Sequence, residues 1–130
     1  MSVTQTGYCP TARRLRSLAS MGVDLSPHEV AERLAAEEIE IVDVREPYEH
    51  EAGHVAGARH IPLHLLGKAF DSFDREVPLV FVCRIGARSA MAAQAFDQAG
   101  FMAYNLRGGM LAWEAAGLPL APDGGYVADH

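Results

Sequence analysis

The segment Leu79-Val80-Phe81-Val82-Cys83-Arg84-Ile85-Gly86-Ala87-Arg88-Ser89 joins an apolar run to a cysteine and a short loop that contains one glycine and two arginines. The β-branched and aromatic run reads as a buried strand, and the Ala-rich stretch from Ser89 to Ala99 reads as a helix. Cys83 is therefore expected at a strand end, facing the N-terminus of a helix. Amides in such a turn have no intrahelical partners and, together with the helix dipole, favour negative charge. Arg84 and Arg88 add positive charge, a setting in which a thiol ionises readily and becomes a nucleophile. The bland alternative is an inert buried cysteine. It leaves the Gly86 punctuation and both arginines unexplained.

The elements that must hold this loop are legible on either side of it. Ser26-Pro27-His28-Glu29 has Ser at a cap position, Pro at the first helical position and Glu three residues after Ser, a capping box. It predicts a helix to about Ala36 with Val30, Ala31 and Leu34 on one face. Ile39 to Val44 predicts a strand that stops at Pro47. His54 to Ile61 reads as a loop feeding a short strand, and Leu63 to Phe73 as a short helix. Gly100 suits a left-handed cap closing the Ser89 helix. Met102 to Leu106 is a strand, and Met110 to Ala116 a last helix closed by Gly117 and Pro119. Met110 and Trp113 read as core or edge packing, or as the mouth of the site if that helix borders the loop. Helix and strand in alternation imply a parallel α/β sheet.

With 130 residues, 49% of them hydrophobic and 22% charged, the chain suits one soluble globular domain. A net charge of -6 gives no basic face for nucleic acid. No run approaches the roughly 18 to 20 apolar residues of a membrane span, and the first residues lack an apolar signal core. These features and the two cysteines, too few for a disulfide framework, predict a cytoplasmic protein. Residues 1–22 read as an extension with one weak helix around Ala12 to Ala19, residues 23–120 as the domain, and residues 121–130 as a flexible Gly/Asp-rich tail. Cys9 in the extension is either an exposed, mobile thiol or a resolving partner for Cys83. His50, His54, His60 and His64 include pairs spaced by four, as on a metal-binding helix face, but Gly53 and Gly57 argue against a continuous helix. No metal site is expected, and nothing in the sequence sets an oligomeric state.

Four segments together resemble the rhodanese (sulfurtransferase) homology domain: Ile41-Val42-Asp43-Val44-Arg45-Glu46, Glu49 with Gly53-His54-Val55-Ala56-Gly57-Ala58, the Cys83 to Ser89 loop, and Leu106 to Trp113. The resemblance spans about Leu25 to Leu120. It implies an α/β fold with a central parallel sheet of about five strands and helices on both faces, and no metal or organic cofactor. It also implies that Cys83 takes sulfur from thiosulfate or a similar small anionic donor as a persulfide and yields it to a thiol or a protein cysteine. Arg84, Ile85, Gly86, Ala87, Arg88 and Ser89 would form the substrate loop, their amides a nest for the terminal sulfur and their guanidinium groups forks for the donor's oxygens. Arg45 would contact substrate or support the loop, whereas Asp43 reads equally as a structural cap. Cell-cycle phosphatases of the same fold place five residues between cysteine and arginine. Cys83 and Arg88 have four, which argues against a phosphoryl substrate. A regulatory or partner-dedicated carrier module is the rival reading.

Overall fold

The structure, a computed structural model, describes residues 24–129. The expected N-terminal extension and Cys9 lie outside them. β1 (Asp24–Leu25) leads into α1 (Pro27–Ala35), whose start is the expected capping box: the Glu29 amide donates to Ser26 Oγ at 3.2 Å and the Ser26 amide to Glu29 Oε1 at 2.9 Å. β2 (Glu40–Asp43) follows. Pro47 then does more than stop a strand, because it opens a short helix, α2 (Pro47–Ala52), that strand reasoning did not foresee. Proline's fixed φ suits a first helical position as well as a break.

After β3 (Arg59–His60), the helix expected over Leu63 to Phe73 is instead two 3₁₀ turns, Leu63–Lys68 and Phe70–Ser72. Gly67 in the middle of this segment weakens any α-helical alternative. β4 (Leu79–Val82), α3 (Ala87–Gln98), β5 (Ala103–Leu106) and α4 (Gly109–Ala115) complete the order. Gly100 adopts φ +97, as its cap role requires.

Among the described residues the strands form one sheet in the order β1-β5-β4-β2-β3, every pair parallel. Alternation along the strands sends side chains to two cores. Ile41, Val80, Val82, Tyr104 and Leu106 pack with Val30 of α1 and with Met110 and Trp113 of α4. Val42, Leu79, Phe81 and Ala103 pack with Ala92, Ala93 and Phe96 of α3 on the other face, with Phe73 beside them. Trp113 is thus a core residue, its Nε1 donating to Pro119 O at 2.8 Å.

The tail is more engaged than its composition suggests. Ala121 bridges His54 through two backbone hydrogen bonds, the Tyr126 amide donates to Ala52 O at 2.9 Å, and Val127 packs against the first core. A Cβ on Gly53 would fall 2.4 Å from Tyr126 O, so this docking needs glycine there.

Candidate active site

Chain direction reverses across the sheet between β2 and β4, and in open parallel sheets ligands bind at the carboxyl ends of the strands beside that switch point. Cys83 directly follows β4. Its Sγ accepts hydrogen bonds from the Gly86 amide at 3.1 Å and the Ser89 amide at 3.4 Å, and the residue is buried. Gly86 caps α3 at φ +101, a left-handed turn that brings its N–H round to the sulfur. The Ser89 amide belongs to the first turn of α3, so the sulfur occupies the place where the helix lacks acceptors. Two amides of the expected nest thus meet on Sγ.

The loop is held from below by α4. Its Met110 amide donates to Cys83 O at 2.8 Å and its Leu111 amide to Arg84 O at 3.0 Å, so the orphan donors of one helix start fix the cysteine loop. Gly109 permits this approach. Its φ is +64, and a Cβ there would lie 2.5 Å from Arg84 O.

The two loop arginines are in different situations. Arg88 forks onto Glu49, Nη1 to Oε1 and Nη2 to Oε2 both at 3.1 Å. Burial pulls its pKa down, but the hydrogen bonds and charge of Glu49, with the Cys83 sulfur, hold it above the usual arginine value. Glu49 is fully buried in α2 and also accepts the Glu46 amide at 2.9 Å. Arg88 therefore braces the loop against α2, contrary to the expectation that its fork faces a donor. Among the described residues the Arg84 guanidinium pairs with the exposed Asp129 carboxylate at 3.4 Å. With Ile85, Ala87 and Arg88 it lines a small cavity of about 190 Å³.

Arg45 is not brought to the loop surface. It is buried beside Asp43, with Nη2 to Oδ2 at 2.7 Å and Nε to Oδ1 at 2.9 Å, and Nη2 also donates to Gly53 O at 2.8 Å. The Asp43 carboxylate also takes the Arg45 amide at 3.1 Å, the local turn expected of a structural aspartate. Of the two expected roles, substrate contact or loop support, full burial in an ion pair fits support. Glu49 and Gly109 stand in segments that carry the resemblance but had no role assigned to them, and Asn105 was missed by sequence reasoning.

The histidines stack rather than converge. His50 lies against His54 and His60 with ring centroids 3.8 and 4.3 Å away, while His54 Nδ1 bonds His50 O and His60 Nε2 bonds Arg45 O. Burial first, then the neighbouring His54, pushes the His50 pKa down to about 4. An unfolded histidine takes a proton near about 6.5. Between these values the unfolded chain binds more protons, so stability is lost as pH falls from about 6.5 towards 4 and levels off below. After solvent screening the loss is on the order of 1 kcal/mol. Urea denaturation at pH 7 and pH 5 checks it, and His50→Leu should flatten that part of the profile.

Cys83 thus lies at the switch point of a parallel α/β sheet, with amides of a helix start on its sulfur. The chain belongs to the rhodanese-like domain family, whose model matches residues 26–116. It is 36% identical over 104 residues to a sulfurtransferase of Allochromatium vinosum, covering 78% of this chain and 97% of that protein. It is 38% identical over 88 residues to the thiosulfate sulfurtransferase GlpE of Pseudomonas aeruginosa, covering 67% and 80%. A rhodanese-related protein of Thermoplasma volcanium superposes with a TM-score of 0.72 at 26% identity, covering 76% of this chain and 97% of that one.

Proposed function

We propose that the protein is a thiosulfate-type sulfurtransferase that carries sulfane sulfur on Cys83. The observation that supports this most is the convergence of the Gly86 and Ser89 amides on Sγ. In the first step the Cys83 thiolate forms a bond to the outer sulfur of thiosulfate. The donor's S–S bond breaks and its electron pair leaves with sulfite. The loop amides stabilise the anionic sulfur as an oxyanion hole would, and Arg84 is the loop cation best available to the donor's oxygens. In the second step a cellular thiol or protein cysteine takes the outer sulfur and returns Cys83 to thiolate, a ping-pong cycle. Because Cys83 is buried, the rim of Arg84, Ile85 and Ala87 must part locally for a donor to reach Sγ. No cofactor enters this scheme. We place the protein in the cytoplasm: among the described residues no helix is long and apolar enough to cross a membrane, and a reducing compartment keeps such a thiol available.

A partner-dedicated carrier is favoured by one observation. Ile85 is 55% exposed on the loop, an apolar contact better suited to a protein acceptor than to a small anion. Intact-protein mass spectrometry after incubation with thiosulfate tests both readings. The expected result is a gain of one sulfur on the wild type, none on Cys83→Ser, and its removal by cyanide as thiocyanate. No adduct from thiosulfate, but one from a persulfidated protein donor, would move the assignment to the dedicated carrier. No adduct from either, with Cys83 reduced, would remove sulfur transfer altogether.

A further inference from the structure

The parallel register of β1 and β5 sets Asp24 opposite Asn105, and from that pair a polar chain runs into the core. Asn105 Nδ2 donates to Asp24 Oδ1 at 3.1 Å, Asn105 Oδ1 lies 2.5 Å from Ser89 Oγ, and Ser89 Oγ lies 3.4 Å from Cys83 Sγ. Asn105 and Ser89 are both buried. A carboxylate only accepts, so Asn105 must turn its NH₂ to Asp24 and its oxygen to Ser89. That oxygen also only accepts, so the single hydroxyl hydrogen of Ser89 is committed to Asn105. Ser89 therefore offers the sulfur a lone pair. A lone pair accepts from a thiol S–H but repels a thiolate.

We propose that Asp24 and Asn105 are positioning residues that hold the Ser89 hydroxyl as an acceptor at Cys83, favouring a neutral inner sulfur over thiolate and so retaining bound sulfur. The proposal rests on the sulfurtransferase reading and deepens it. When an acceptor thiolate bonds to the outer sulfur of the persulfide, the Sγ–S bond breaks and its pair stays on Sγ as thiolate. With the hydroxyl turned to Asn105, the hydrogen bonds to that charge come, among the described residues, from the Gly86 and Ser89 amides. To help, the hydroxyl must turn to the sulfur and leave Asn105 Oδ1 buried without its donor, which is costly. Release of the bound sulfur is thus slowed, a property suited to a carrier.

The test uses the full chain and separates the two half-reactions: loading by thiosulfate and discharge of the loaded protein by cyanide. Ultraviolet thiolate absorbance at fixed neutral pH, with Cys83→Ser as blank, supplies a readout independent of sulfur transfer. Asp24→Ala frees the Asn105 amide to turn and the Ser89 hydroxyl to donate to sulfur. Discharge should rise about three- to ten-fold, with a larger thiolate fraction. Asp24→Asn, whose amide oxygen still accepts from Asn105, should restore wild-type values, and Ser89→Ala combined with Asp24→Ala should erase the gain. The charged groups of the loop and of α2 beside it, Arg84 with Asp129 and Arg88 with Glu49, are common to all these variants. A parallel fall in both half-reactions, or an unchanged thiolate fraction in folded Asp24→Ala, would overturn the proposal. A wild type that loads from no donor would instead overturn the sulfur-transfer reading, while the absorbance still decides which way the hydroxyl points.

Discussion

Gly109→Ala is expected to destabilise the domain by at least about 3 kcal/mol and to abolish sulfur loading. A left-handed φ of +64 alone costs an alanine about 1–2 kcal/mol. The new Cβ would also lie 2.5 Å from Arg84 O and 2.6 Å from Cys83 O, and these are backbone atoms that cannot swing aside. Relief requires α4 to move away from the cysteine loop, which lengthens the bonds from Met110 to Cys83 O and from Leu111 to Arg84 O. The loop would then lose the support that aims its amides at Sγ. Gly117→Ala is the control. It has φ +76 with nothing within 4 Å of a built Cβ, so it should cost only the conformational term and leave loading intact. Thermal denaturation and the mass-spectrometric adduct measure both variants. Equal behaviour of the two would refute the close-packing account.

Features written in local residue chemistry were legible in the sequence. The Ser26-Glu29 box, the apolar β4 run and the Gly86 turn each express a local rule, and each stands where that rule predicts. What escaped depends on partners distant in the chain. Glu49 stands in a family segment with no role of its own until α2 forms beside the loop and Arg88, 39 residues away, forks onto it. Asn105 lies in a run that reads only as a strand, and its role depends on the parallel register with Asp24, 81 residues earlier. The choice between substrate contact and loop support for Arg45 stayed open for the same reason. A lone arginine after a strand signals a substrate contact only while its neighbour Asp43 and the Gly53 carbonyl are not known to enclose it. α2 itself was hidden because Pro47 serves equally to end a strand and to start a helix.

Asp43→Ala should destabilise the protein by about 3–5 kcal/mol, because it strands a buried guanidinium whose partners cannot be replaced by water. Asp43 and Arg45 are both fully buried, and among the described residues Arg45 Nη1 already lacks a hydrogen-bond partner. The pair sits at the end of β2, whose ladder continues onto the cysteine strand through the Val44 amide and Val82 O at 3.0 Å, so its loss reaches the floor of the site. A double replacement, Asp43→Val with Arg45→Met, removes both charges and should recover much of the stability, since a buried ion pair is often no better than apolar residues of similar size. Recovery stays incomplete because Gly53 O loses its donor. The double variant separates two roles for Arg45. If the pair only supports the sheet end, urea denaturation will show restored stability and the folded double variant will load sulfur with an unchanged KM for thiosulfate. If Arg45 instead meets the donor during the reaction, stability will return while KM rises about ten-fold or more, the effect of losing a charge-assisted hydrogen bond. The geometry favours the first result, because a guanidinium with no exposed surface that is already forked onto a carboxylate is closed to a donor arriving from solvent.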